Sequence, residues 1–216
     1  MDEAIALMDA DGADALTMRA LGRRLGAGTT SMYRHIANRQ ELLELAVDRV
    51  YGEVHVPGCD GPAQWRDAMS ACAWSMRAMV LAHSWIATAL PGVGLHCPGP
   101  NVRRLVDELI AVCDAAGFPA DEIDSAISTV LGYVVGMAVA ETGRLAQVAR
   151  SGCSEQQLVD RARSRLDCSA GSNHPTGESI SARGQAEIRA ATFGYGLERV
   201  LDGLSPRFPQ GSPRAR

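Results

Sequence analysis

Residues 16–43, LTMRALGRRLGAGTTSMYRHIANRQELL, decide how this chain reads. Thr17 can cap a helix with its hydroxyl, and the run MRALGRRL continues that helix until Gly26 stops it. Met18, Leu21 and Leu25 recur at helical spacing and give it an apolar stripe. The turn Gly26-Ala27-Gly28 leads into a second short helix, TTSMYRHI, whose Met32 and Ile36 can pack against Leu21 and Leu25. Asn38 followed by Glu41 has the form of a capping box. The helix it opens is expected to turn Leu42, Leu45, Ala46 and Val50 inward and to end near His55 and Pro57. Two short helices joined by a Gly-containing turn make a helix-turn-helix. From Thr17 to Gln40 the charged side chains are Arg19, Arg23, Arg24, Arg34 and Arg39, with no acid among them. The whole chain carries a net charge of −4, so this positive charge is local. Thr29, Thr30, Tyr33 and Arg34 stand at the N-terminal end of the second helix, where short polar and aromatic side chains can meet base edges.

Upstream, Ala4, Ile5, Leu7 and Met8 fit one face of a first helix that Gly12 ends. Downstream, the Gly/Pro-rich stretch 57–62 reads as a loop, and six further helices are expected. Their spans are about 63–81, 83–90, 101–116 and 121–148, then a polar helix within 151–166 and a last one over 182–204. Residues 168–177 read as a loop. The fold class is therefore all-α, with about ten helices: a three-helix DNA-binding unit and a larger helical body. The expected division is 1–46, 47–204 and a disordered tail over 205–216. With 216 residues, 46% hydrophobic and 21% charged, the chain can bury a core. No apolar run of the roughly 18 residues needed to span a bilayer is read, so no membrane partner is expected. The acidic start MDEAIALMDADG lacks the basic region of a signal peptide, which makes the cytoplasm the expected location. Six scattered cysteines (Cys59, Cys72, Cys97, Cys113, Cys153, Cys168) show no metal-ligand spacing and read as reduced small hydrophobes. Neither metal nor cofactor is expected.

The opening segment resembles the DNA-binding signature of the tetracycline-repressor family over roughly residues 4–50. The shared pattern is LT-x-R-x-L-x3-LG, a small-residue turn, then Y-x-H-[IV]-x-N-[KR]-x-x-L. The resemblance implies double-stranded operator DNA as partner, with Thr17 and Arg19 at the second helix of the head, Arg19 reaching a base edge or phosphate. It implies that Thr29, Thr30 and Arg34 face the major groove, Tyr33 and His35 hold phosphates, and Arg39 holds a further phosphate. For His35 the residues alone leave a core position and a phosphate contact open. The competing reading of the basic patch is a set of solvated charges. Family members usually carry ten or more residues ahead of the first helix, so a weaker grip on DNA is expected of a chain starting at Met1.

Beyond residue 57 the chain is similar to the tetracycline-repressor branch in Trp65, His83, DAAGFPADEIDSAISTVLGYVVG and FGYGLERVLDGL. That similarity implies a homodimer through the two long C-terminal helices. Ile127, Val130, Leu131, Val134, Val135, Leu197, Val200 and Leu201 would supply apolar surface, and Gly132, Gly136, Gly194 and Gly196 close approach. It also implies a small-molecule effector site at His55, Cys72, Met76, Leu90, Val93 and Glu141, with Trp85 beside it. Cys72 stands where an Asn would hold the drug, and Leu90 where a His would bind magnesium, which argues against a tetracycline–magnesium ligand. Trp74, Trp85 and Tyr133 can wall a pocket for a flat or hydrophobic molecule or fill the core; both stay open. Ligand binding would then move the helix ending at His55 and respace the two recognition helices. Enzyme motifs such as Gly-x-Ser-x-Gly, HExxH or a phosphate-cradling Gly loop are not found, and His83, His96, Cys97 and His174 read as isolated. Two alternatives remain: a DNA-binding regulator without a ligand, and one that senses redox state through a cysteine.

Overall fold

The computed structural model describes residues 1–26, 36–89, 99–167 and 184–205. Among these residues there are helices and no strands, as the all-α reading expects. The head begins with α1 (Asp2–Asp11), a single 3-10 turn (Ala13–Ala15) and α2 (Met18–Leu25), followed by α3 (Arg39–Tyr51). Thr17 Oγ1 accepts from the backbone N–H of Ala20 at 3.1 Å, so the capping threonine sits where the sequence put it. Gly26 closes α2 at a φ of 62°, a left-handed conformation in which a Cβ would be strained. Asn38 Oδ1 accepts from the N–H of Glu41 at 2.9 Å, and Glu41 accepts in return from Ala37 at 2.5 Å. The helix expected over 29–36 lies outside the described residues, save Ile36, as do loop 168–177 and the tail beyond Ser205.

Three local expectations fail. Leu25 is 50% exposed because it is the last residue of α2, past the stripe that Met18 and Leu21 bury. Leu45 is 44% exposed; Leu43 and Val47 join Leu42, Ala46 and Val50 on the inward face of α3, which packs against α4, α5 and α6 of the body. The helix also stops at Tyr51 rather than near His55. The guanidinium of Arg104 explains that early stop: its Nη2 donates to the carbonyls of Tyr51 (3.4 Å) and Val54 (3.0 Å), drawing the chain out of the helix.

The body consists of α4 (Trp65–Ala82), α5 (Ile86–Ala89), α6 (Pro100–Ala116), α7 (Ile123–Ser151), α8 (Glu155–Asp167) and α9 (Gln185–Leu204). Gly117, at a φ of 80°, turns the chain from α6 towards α7. Helix α7 lies along α4 on one side and α9 on the other, while α6 bridges α3, α4 and α7. Met8, Leu16, Leu42, Val50, Met69, Met76, Leu105, Leu109, Val134 and Leu197 belong to one continuous buried cluster. The core therefore runs unbroken from head to body, and the position 46/47 falls inside α3.

By length and composition α7 could cross a membrane, which corrects the reading that no run was long enough. Its place in the fold is different. It buries Val130, Val134 and Ala138 against its neighbours and carries Glu141 inward. Only 33% of its most apolar stretch is buried within the chain.

Candidate DNA-binding head and sensing body

Arginine surrounds α2, but its charge is not all available. Arg24 Nε donates to Glu3 Oε2 of α1 at 2.6 Å, which partly neutralises it. Arg39 acts as a strut: Nε donates to the carbonyl of Leu16 (2.7 Å) and Nη2 to that of Ala13 (2.6 Å). Its side chain remains 41% exposed, with donors left over for an anion. Arg19 and Arg23 are exposed, and among the described residues no ion pair holds either. Thr17 is exposed with its oxygen occupied by the cap. Thr29, Thr30, Tyr33, Arg34 and His35 lie outside the described residues.

His83, expected to be isolated, ties head to body. Its Nδ1 lies 2.8 Å from Asp9 Oδ1 on α1, and its Nε2 lies 3.2 Å from Glu53 Oε2 just past α3. The same Asp9 oxygen accepts from Trp85 Nε1 at 2.8 Å. Trp85 is thus a buried tether at the corner between α4 and α5. His55 is exposed, and its backbone N–H donates to Ser75 Oγ at 2.9 Å. Because α3 ends four residues earlier, this histidine is turned to the surface.

A second tie was not anticipated. Asp48 lies 9% exposed on α3, and its Oδ1 accepts from the backbone N–H groups of Asn101 and Val102, each at 3.0 Å. Its Oδ2 accepts from Asn101 Nδ2, also at 3.0 Å. The sequence signal was an acid within the apolar run Ala46, Val47, Val50, since charged residues are rarely buried without partners.

In the body, Cys72 and Met76 are buried on α4 and belong to the core. Burial, helped by the nearby Glu108 carboxylate, pushes the Cys72 thiol up to about 12, and burial takes that of Cys113 up to about 11. Such thiols stay protonated and unreactive near neutrality. Glu141 is buried, and two arginines occupy it. Arg77 meets it with two bonds (2.9 and 2.7 Å) and Arg189 Nε with a third (2.9 Å). Arg189 also pairs with Glu155, whose Oε1 is buried without a hydrogen-bond partner among the described residues. The Arg77 guanidinium stacks on Trp74 (5.5 Å) and Phe193 (5.3 Å). A cleft of about 150 Å³ opens beside this cluster between α7 and α9, with Met137, Ala140 and Ile188 as its apolar wall. Leu90 and Val93 fall outside the described residues, as do His96, Cys97 and His174. Among the described residues no group of three His, Cys, Asp or Glu is placed to hold a metal.

The expected dimer residues divide into two sets. Ile127, Val130, Val134, Leu197 and Leu201 are buried in the chain's own core, because α4 and α6 cover that side of α7. Leu131, Val135 and Val200 are half-buried. Gly196 serves an internal approach: a Cβ there would meet Tyr133 Oη at 2.3 Å, and that hydroxyl donates to the carbonyl of Phe193 at 2.7 Å. Gly194 faces Trp74 in the same chain. Gly132 and Gly136 have nothing within 4 Å and point away from the body.

Comparison with known proteins gives two family matches. Residues 1–46 match the family described as bacterial regulatory proteins, tetR family, and residues 57–207 match the tetracyclin repressor-like C-terminal domain. The HTH-type transcriptional repressor DrrR1 of Streptomyces coeruleorubidus is 28% identical, over 94% of this chain and 75% of that one. The tetracycline repressor protein class A from transposon 1721 of Escherichia coli is 27% identical, over 94% of this chain and 88% of that one. Among solved structures, the Streptomyces coelicolor TetR family protein ActR in complex with actinorhodin superposes with a TM-score of 0.73 at 27% identity, covering 93% of this chain and 92% of that one.

Proposed function

The chain belongs to the tetracycline-repressor family of bacterial regulatory proteins, and from that premise we propose that it acts as a cytoplasmic homodimer that holds two operator half-sites and releases them when a small hydrophobic or aromatic molecule enters its body. Ligand-responsive DNA-binding regulation, not catalysis, is the work of this family. Residues 1–46 form the DNA-binding unit and 47–204 the sensing and dimerising one. Arg19 and the segment Thr29, Thr30, Tyr33, Arg34 and His35 meet the duplex, with Arg39 both bracing the head and offering its remaining donors to a phosphate.

The observation that carries the reading is the outer face of α7, where 33% burial leaves an apolar surface spaced by Gly132 and Gly136. A second copy covers such a face with an identical one. The effector site centres on Cys72 and Met76, with the Glu141 cluster as its polar edge. Glu141 is already neutralised by Arg77 and Arg189, which disfavours a metal-chelated ligand. The actinorhodin complex of ActR, a family member of similar fold, supports a small-molecule occupant. Burial of the Cys72 and Cys113 thiols counts against these two as redox sensors.

The test is binding of the purified chain to the DNA immediately upstream of its own coding region, at two salt concentrations. The expected result is tight, salt-sensitive binding by a dimer, lost in Tyr33→Ala and weakened in Arg19→Ala. Failure to bind that region or any duplex selected from random sequence would refute the proposal.

A further inference from the structure

Helices α3 and α6 cap each other. The Asp48 carboxylate of α3 accepts from the first free N–H groups of α6, at Asn101 and Val102. In return Arg104 of α6 donates to the last carbonyls around the end of α3, at Tyr51 and Val54. Each charge meets the helix end of opposite polarity, so the two contacts act in the same sense. The fit is close enough to require two glycines. A Cβ at Gly99 would meet Asp48 Cγ at 2.2 Å, and one at Gly52 would meet Asn101 Oδ1 at 3.0 Å. The covalent link from α3 to α4 is a poorer guide for the head, because it contains Gly52, Pro57, Gly58, Gly61 and Pro62.

Arg104 also looks the other way. Its Nη1 donates to Glu108 Oε2 at 2.8 Å, one turn further along α6. The Arg104–Glu108 pair thus joins α6 to the carbonyl end of α3. The second attachment of the head, Asp9 with His83 and Trp85, lies at the α4–α5 corner and can serve as a pivot.

We propose that this reciprocal capping is the joint by which the body sets the angle of the head, with Asp48 and Arg104 as its positioning residues. A shift of α6 draws Arg104 from the carbonyls of Tyr51 and Val54, and the head turns about the Asp9 attachment. The inference rests on the reading that the chain binds DNA as a dimer.

The test uses the full chain, without ligand, and a duplex selected from random sequence for tight binding. Affinity is then measured with one base pair inserted or removed between the half-sites. A rigid joint fixes the separation of the two heads, so the wild type is expected to lose about tenfold or more for either change. Asp48→Asn and Arg104→Gln remove the charges at similar size, and both are expected to lose less than about threefold on the altered duplexes. Arg66→Gln, which cuts the ion pairs to Glu198 and Asp202 elsewhere on α4, keeps the wild-type profile. Folded Asp48→Asn and Arg104→Gln dimers that keep full spacing discrimination would overturn the proposal. If either does not fold, Asn101→Ala cuts the Asp48 Oδ2 contact alone and must still relax the discrimination. A wild-type chain that selected no duplex would refute the DNA-binding reading instead. The joint is then judged by amide exchange in α3, which Arg104→Gln must speed about tenfold with α7 unchanged; an unaltered α3 would overturn it.

Discussion

Helices α2 and α7 present opposite kinds of unfinished surface. The eight residues of α2 bury Met18, Leu21 and Gly22 and leave Arg19 and Arg23 exposed. The 29 residues of α7 bury a stripe of valines, isoleucines and alanines and leave Leu131 and Val135 partly uncovered and Gly132 and Gly136 open. Charge left in solvent invites a partner of opposite sign and any shape that tracks it, such as a phosphate backbone. Apolar surface left in solvent invites a complementary apolar face, and the nearest one available is the same helix in another copy. Two kinds of partner thus follow from two kinds of exposure within one chain.

The sharpest way to break this contrast is to put a charge where apolar cover is expected. Gly136→Glu meets nothing within 4 Å in its own chain, and losing a mid-helix glycine favours the helix. Any harm must then come from the second copy. Two carboxylates facing each other in a dry interface cost several kcal/mol, enough to weaken the dimer about a thousandfold. Sedimentation should show a folded monomer with operator affinity lost in parallel. A stable dimer would place the interface elsewhere.

Glu141→Ala tests the body's interior in the same spirit. Arg77 and Arg189 flank Glu141 with side chains 12% and 14% exposed, so its removal leaves two nearly buried cations. A loss of about 3 kcal/mol in urea unfolding is expected, and Arg77→Met combined with Glu141→Leu should recover part of it. If Glu141→Ala unfolded like the wild type, the cluster would be hydrated rather than buried.

Much of this was legible in the sequence, for reasons that differ by region. Thr17, Gly26 and the Asn38–Glu41 box act over three or four residues, so their local pattern sufficed. Spans of the body helices came within a few residues for the same reason, because glycine and proline end them. What stayed hidden depends on residues distant in the chain. Nothing near Asp48 announces Asn101, and nothing near His83 announces Asp9. The long-range bond of Arg104 shortens α3, so even a helix boundary was set from outside. The apolar pattern of α7 fixed a helix but not which of its faces is internal. Leu25 and Leu45 show the same ambiguity in miniature.

On the charged side of the comparison, Arg19→Ala should weaken operator binding by about tenfold and reduce the slope of affinity against salt by about one. Filter binding or anisotropy at several salt concentrations measures both. A lower affinity with an unchanged slope would make Arg19 a base reader rather than a phosphate contact. No change in either would remove α2 from the interface.

The smallest effect separates folding from recognition at one atom. Thr17 Oγ1 already accepts from Ala20, so Thr17→Ala should cost about 1 kcal/mol of stability through the lost cap, whatever its role on DNA. Thr17→Asp keeps an oxygen for the cap and favours the helix N-terminus, and therefore restores stability. The same carboxylate repels a phosphate. If Thr17 touches the backbone of the duplex, thermal melting of Thr17→Asp matches the wild type while its DNA affinity falls about tenfold, a loss that deepens as salt is lowered. If both quantities match the wild type, Thr17 only starts α2, and the electrostatic contact of this helix begins at Arg19.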